Sequence, residues 1–196
     1  MVVRTRVKWR RVLFACLLVL LVLSGFGIIV REAGRKEDAR MREALLRQSV
    51  DVAAGINPHF LQGLSFTSED AQQPGFQMTR ELLRRYAVHA GIESLYTMAL
   101  RDGRIVFGPE SIPEDHPLAS APGTVYLQPS PRDFDLFHTG EPHVTGPATD
   151  EYGTFVSALS PVVDDQNGKV VAVVGIDVEA SDWLADVRAA QRRTAG

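Results

Sequence analysis

Residues 154–178 read TFVSALSPVVDDQNGKVVAVVGIDV, two apolar runs either side of Asp164-Asp165-Gln166-Asn167-Gly168. The runs are rich in valine, which packs well on a pleated surface. Asn-Gly is the pair that most readily takes the positive φ angles of a tight hairpin turn. The stretch therefore predicts two antiparallel strands, 154–163 and 169–178. Residues 143–148 add a third across the turn at 150–153, making a meander of three.

The same alternation appears earlier. Residues 93–100 and 104–107 flank Asp102-Gly103, a second hairpin signal. Between hairpin and meander, residues 108–131 hold six of the chain's eleven prolines, and no regular element is expected to run through them. Ser130-Pro131-Arg132-Asp133 then supplies a capping hydroxyl, a proline suited to the first helical position and an acid in the first turn. A short helix follows, closed by Gly140, with Phe134 and Phe137 on its buried side. Toward the N-terminus the period is helical. Residues 31–56 form one long helix ended by Asn57-Pro58, since the residue before proline is pushed out of the helical region. Residues 74–90 form a second, with an apolar stripe of Phe76, Leu82, Leu83, Tyr86 and Ala90 and a stop at Gly91. At the other end Ser181 is expected to cap a last helix carrying Trp183, Leu184 and Val187. These elements give an α+β domain with a five-stranded antiparallel sheet and a long insertion, and loops of that length in a compact domain are usually functional.

Residues 12–30 carry no charge, and 19 helical residues span roughly 30 Å, the hydrocarbon thickness of a bilayer. The run reads as a transmembrane helix. Arg4, Arg6, Lys8, Arg10 and Arg11 with Trp9 suit a cytoplasmic headgroup layer. Arg31, Arg35, Lys36, Arg40, Arg42 and Arg47 charge the other flank equally. The first flank has no acids, and long C-terminal domains translocate largely regardless of charge, so the N-terminus is expected in the cytoplasm of an inner (plasma) membrane protein. A cleaved signal peptide is the competing reading, with 12–23 as its apolar region and Gly25-Phe26-Gly27 as a small-x-small cleavage site. Cys16 opens the apolar run, where a lipoprotein signal would close it.

Across the chain 45% of positions are apolar and 23% charged, which suits one globular domain plus an anchor. Residues 1–47 hold 11 Lys/Arg against 4 Asp/Glu, while residues 48–196 hold 10 against 20. A domain that acidic repels phosphate backbones, so no nucleic acid partner is expected. The single cysteine excludes a disulfide framework.

Several local runs, in this order, resemble the PAS-like extracytoplasmic sensor domains known as Cache domains. They are Pro122-Gly123-Thr124-Val125-Tyr126, Thr139-Gly140-Glu141-Pro142 with Gly146-Pro147, Asp150-Glu151-Tyr152-Gly153-Thr154, Ser157-Ala158-Leu159-Ser160-Pro161-Val162 and Val173-Val174-Gly175-Ile176-Asp177-Val178. The likeness covers residues 31–190. It implies a PAS-like five-stranded antiparallel sheet with a long N-terminal helix, preceded by one transmembrane helix. The expected division is a cytoplasmic basic segment (1–11), the transmembrane helix (12–30), a membrane-proximal helix (31–56), the sensor domain (57–180) and a C-terminal helix (181–196). Such domains are input modules of sensor histidine kinases and diguanylate cyclases, where a second transmembrane helix usually leads to the output. The sequence here ends within the helix after Trp183, so it reads either as a piece of a longer receptor or as a module acting without an output domain.

The family's pocket lies between the sheet and the long loop. The ligand-binding candidates are therefore Tyr96, Met98, Tyr126, Phe134, Tyr152, Ser157 and Asp177. Tyr126 and Tyr152 can stack on or hydrogen-bond a small molecule, and a partly buried Asp177 can pair with a ligand amine. Each also has a structural reading: Tyr126 as a seal beneath the loop, Asp177 as partner to a local backbone donor. His116, His138 and His143 with Asp115 and Glu141 match no metal-ligand spacing, and no metal or other cofactor is expected. Nucleophile elbows, phosphate loops, zinc-helix motifs and kinase or cyclase signatures are missing from the sequence, so no catalytic residues are assigned and the chain as it stands reads as a non-enzyme. A homodimer through the membrane-proximal helix is expected, with Leu45, Val52 and Ile56 as its seam. The rival reading is a membrane-tethered or secreted module that binds a ligand or a partner protein without an output domain.

Overall fold

The computed structural model describes residues 3–196, with side chains from residue 13 onward. The side chains of the basic flank, Arg4 to Arg11, lie outside the described residues. The chain forms two compact units, one of Met1–Arg40 with Leu184–Gly196, the other of Met41–Trp183.

Helix α1 runs Val3–Gly55 without interruption. The expected helices 12–30 and 31–56 are therefore one rod, as the lack of proline between them allows. It is long and apolar enough to cross a membrane, and its most apolar window is entirely unburied. In the same unit Gly34 lets the Gln191 side chain approach to 2.5 Å of where a Cβ would stand. The rod stops before Asn57, whose backbone is extended and whose side chain accepts the His59 N–H, opening the short helix α2, Pro58–Gln62. A 3-10 turn, Ser68–Gln72, follows. It gathers around the fully buried Asp70, which accepts N–H groups of Ser65, Phe66 and Thr67 and the Gln73 amide. Both elements are too short for periodicity to reveal. Helix α3, Pro74–Ala90, ends at Gly91 in the left-handed region (φ 67°).

Strands β1 (Ser94–Arg101) and β2 (Arg104–Glu110) form the expected first hairpin. The second strand continues to Glu110, past the expected end at residue 107 and through Pro109. An edge strand tolerates that proline because one side of its backbone needs no partner, and the register shifts between Tyr96 and Met98 to absorb it. Beyond Glu110 the proline-rich segment is irregular, save for one bridge between Val106 and Val125. Helix α4, Pro131–Thr139, begins where expected: Asp133 accepts the Ser130 N–H at 2.7 Å, and Gly140 closes it at φ 69°. Strands β3 (His143–Thr149), β4 (Thr154–Val163) and β5 (Val170–Glu179) make the meander. Helix α5, Ala180–Ala195, follows β5 directly, so Ser181 lies inside it and is not its cap.

The sheet order is β2-β1-β5-β4-β3, every pair antiparallel. The last strand thus inserts beside the first. Because side chains alternate across a strand, the sheet has two distinct faces. One carries Leu95, Ala99, Val156, Ala158, Val162, Ala172, Val174 and Ile176, all nearly inaccessible. Helix α2 packs against β5 and α3 against β1 and β2. Val52 and Ile56 of α1, with Leu61 and Leu83, are buried too. Ser49 of α1 meets Ser160 of β4 at 2.6 Å, both fully buried. Leu45, Val52 and Ile56 are thus core residues, 6%, 1% and 4% exposed, and are not free to form the expected dimer seam. The opposite face carries Met98, Ile105, Phe107, Leu159 and Val173 packed with Leu136 of α4.

Candidate functional site

The site begins with a glycine. Gly175 on β5 lies directly opposite Tyr96 on β1, and any Cβ there would collide with the Tyr96 ring. The missing side chain lets the ring lie over the central strand, and its hydroxyl donates to Asp177 Oδ1 at 3.0 Å. Ser157 of β4 is the register partner of Asp177 on the other side and also hydrogen-bonds it. Burial pushes the Asp177 carboxyl up to about 6, the nearby Asp150 adding to it, while Ser157 and Tyr96 hold it down. Burial, then the Asp177 charge, raises the Tyr96 phenol.

Loop and turn residues close over this floor. The Pro-rich segment is stitched to β2 through Phe107 N–H to Thr124 O, Gly123 N–H to Phe107 O and Tyr126 N–H to Ile105 O, each 2.9 Å. That brings Tyr126 above the sheet, where its hydroxyl donates to Asp150 Oδ2 at 3.1 Å. Asp150 also accepts the N–H groups of Tyr152 and Gly153 and so builds the β3–β4 turn that presents Tyr152. The Tyr152 hydroxyl accepts from Ser120 Oγ at 2.9 Å, and the Ser120 N–H donates to Glu110 Oε1 at 2.8 Å. Burial pushes Glu110 up to about 7 against the pull of the Ser120 N–H and the Arg80 charge. Phe107 stands at the centre, edge-on to Tyr96, Tyr126 and Tyr152 with ring centroids 5.5, 5.8 and 5.5 Å away.

These groups enclose a chamber of about 40 Å³, room for about three water molecules. It shares Ser94, Ile112, Leu118, Phe155 and Asp177 with an open groove of about 980 Å³ along α3, whose rim carries Arg80, Arg84 and Glu114. Arg80 is ion-paired with Glu114, and Arg84 with Glu81.

Of the residues singled out from sequence, Tyr96, Met98, Tyr126, Tyr152 and Asp177 line this one chamber. Ser157 reaches it only through Asp177. Phe134 does not: on α4 it packs into the hydrophobic cluster with Leu136. The sequence reading passed over Glu110, Ser120, Phe107 and the chamber role of Asp150. Phe107 was legible as a member of the β2 alternation. Glu110 was hidden because the strand was expected to stop at residue 107, yet a strand continuing through Pro109 places it opposite Tyr96. Among the described residues no group of three or more His, Cys, Asp or Glu is placed to hold a metal. His143 is buried and sits 3.2 Å from Asp133, away from the chamber residues.

A five-stranded antiparallel sheet backed by helices is a fold also seen in solved sensor domains. The sensor domain of Escherichia coli DcuS shares it at a TM-score of 0.50 and 17% identity, over 75% of this chain and 97% of that one. An extracellular ligand binding receptor from Desulfohalobium retbaense matches at 0.53 and 14% identity, over 85% of this chain and 27% of that one. The sensory domain of the Campylobacter jejuni chemoreceptor Tlp3, solved with isoleucine bound, is 13% identical at a TM-score of 0.47, too low to bear on the fold; the match covers 86% of this chain, which spans 65% of that domain's length. The expected likeness to PAS-like Cache sensor domains thus holds for the fold. No protein-family model matches the sequence, and no curated protein matches it.

Proposed function

We propose that this chain is a membrane-anchored sensor of the Cache type: α1 fixes the domain to the outer side of the inner membrane, and a small molecule enters the chamber beneath the Pro-rich loop. The carrying observation is the chamber itself. Tyr96, Tyr126, Tyr152, Ser120, Glu110, Asp150 and Asp177 converge on one buried space, and buried polar groups gathered in a cavity are what orient a ligand. At about 40 Å³ the chamber holds water but no organic molecule, so occupation requires the loop to lift. Ligand binding then shifts a two-state equilibrium, because the open loop makes contacts with the ligand that the closed one cannot.

The movement has a path to the helices within the Met41–Trp183 unit. Arg42 of α1 donates to Gly146 O of β3 at 2.8 Å and stacks on Trp183 of α5 at 5.6 Å. In this reading the signal passes to an output module such as a histidine kinase or diguanylate cyclase, and any catalysis belongs to that module. Receptor dimerisation through the membrane-proximal helix belongs to the same reading, with exposed positions such as Val50 replacing the buried seam.

The reading is tested by a thermal-shift screen of the full chain in micelles against amines, amino acids and carboxylates. A ligand that binds only the folded state raises the melting temperature; a panel that moves nothing contradicts the ligand site. Orientation is tested separately with a Lys169→Cys, Cys16→Ser variant in intact cells. Labelling by a membrane-impermeant maleimide is expected, and labelling only after lysis would reverse the topology.

A further inference from the structure

Resting on the reading of this chamber as the ligand site, we infer that its ligand is an organic ammonium ion that carries no carboxylate, such as a primary amine, a diamine or a quaternary ammonium. Three observations carry this beyond a cluster of acids. First, the wall contains Asp177, Asp150 and Glu110 and no Lys, Arg or His. A carboxylate entering here would meet three of its own kind, while the one cation near enough to act on Glu110, Arg80 of the groove, is already paired with Glu114; a buried charge without a partner is strongly disfavoured. Second, half of the remaining wall is aromatic: Tyr96, Phe107, Tyr126, Tyr152 and Phe155. Phe107 sits amid three tyrosines at edge-on geometry, and aromatic rings attract ammonium and alkylammonium groups by their negative faces. Third, the approach favours cations. The two groove arginines are already paired with Glu114 and Glu81, and residues 48–196 hold 20 acids against 10 basic residues, a field that raises the local concentration of positive solutes. Asp177 is the natural anchor. It lies at the boundary between chamber and groove, and its present partners, the Tyr96 and Ser157 hydroxyls, are neutral donors that an ammonium N–H can replace with a charge-assisted bond.

Matched probes separate this inference from the site on which it rests. Putrescine, 4-aminobutyrate and succinate share one four-carbon chain and exchange ammonium for carboxylate stepwise; choline and glycine betaine share one trimethylammonium group and differ by a carboxylate. Each is titrated calorimetrically into the full chain in micelles at pH 8, with Asp177→Asn and Glu110→Gln variants alongside. Both variants keep an acceptor oxygen and lose a charge, and circular dichroism verifies that they fold; should one fail to fold, the other carries the comparison. We expect putrescine or choline to bind at least tenfold more tightly than its carboxylate-bearing counterpart, and either variant to weaken that binding at least tenfold. Tighter binding of 4-aminobutyrate, succinate or betaine would overturn the ligand class while leaving the chamber a ligand site. Equal binding to wild type and both variants would place the cation elsewhere and overturn the proposal. Silence from all five probes overturns the proposal, and the sensor reading then stands or falls on the wider thermal-shift panel.

Discussion

The two faces of the sheet are built from the same five strands and behave as different materials. On the helix side, alternate residues of β1, β4 and β5 are Leu95, Ala99, Val156, Ala158, Val174 and Ile176, and the face is sealed by helices. Among its polar exceptions, Ser49 and Ser160 satisfy each other. On the loop side the intervening residues include Tyr96, Ser157 and Asp177, and what covers them is an irregular segment whose prolines prevent a ladder of its own. Both faces bury apolar side chains, but only the loop side, beside its cluster of Met98, Ile105, Leu159 and Val173, also keeps polar groups desolvated and poised, which costs stability and provides a place for a ligand. The lesson is that a single strand such as β5 serves both tasks through side-chain alternation.

That contrast can be broken at several points. Leu83→Ala on the helix side should cost about 2–5 kcal/mol in denaturant unfolding, because Leu83 is fully buried and the helix cannot collapse into the gap. It should leave ligand binding to the folded fraction intact. On the chamber side Gly175→Ala should cost about 1–3 kcal/mol by overpacking, since its methyl group occupies the space of the Tyr96 ring. Its distinctive outcome is local: with the ring displaced, the Tyr96–Asp177 bond is lost and ligand affinity falls together with stability. Ser160→Ala should cost about 1 kcal/mol, the net value of an ordinary hydrogen bond, because Ser49 still donates to Leu46 O.

The remaining effect is in the pH dependence. Glu110 and Asp177 are raised to about 7 and about 6 in the folded chain, so the folded state binds more protons than the unfolded one between roughly pH 4 and 7. Their contribution to stability is therefore fully present at the acid end of that window and lost as pH rises through it. Glu110→Gln should flatten this decline in melting temperature between pH 5 and 8. An unchanged slope would mean that Glu110 is not desolvated as the geometry implies.

Much of the fold was legible in sequence because burial, periodicity and turn chemistry agree: Asp102 and Gly103 both take positive φ in the first hairpin, Ser130-Pro131 opens α4, and the turn at Asn167-Gly168 joins β4 to β5, although there only Gly168 takes positive φ. The chamber was legible only in outline. Tyr126 and Tyr152 could be named from their runs, but their partners Asp150 and Ser120 depend on how an irregular loop folds back on β2, which no local pattern encodes. Phe134 lies outside the chamber lining for a related reason. A helix face next to a loop can turn to the cavity or to the core, and the choice is made by tertiary packing with Leu136.

Hydrogen exchange on the full chain in micelles, free and saturated with the panel compound that raises the melting temperature most, tests the central claim directly. The loop bonds of residues 111–126, among them Ser120 N–H to Glu110 and Tyr126 N–H to Ile105, should open at far lower free energy than the ladder of β4 and β5, and ligand should slow their exchange more than that of the sheet. Loop amides that exchange only with the whole sheet, or a ligand that protects the helix face and leaves the loop untouched, would contradict a chamber that opens beneath its loop.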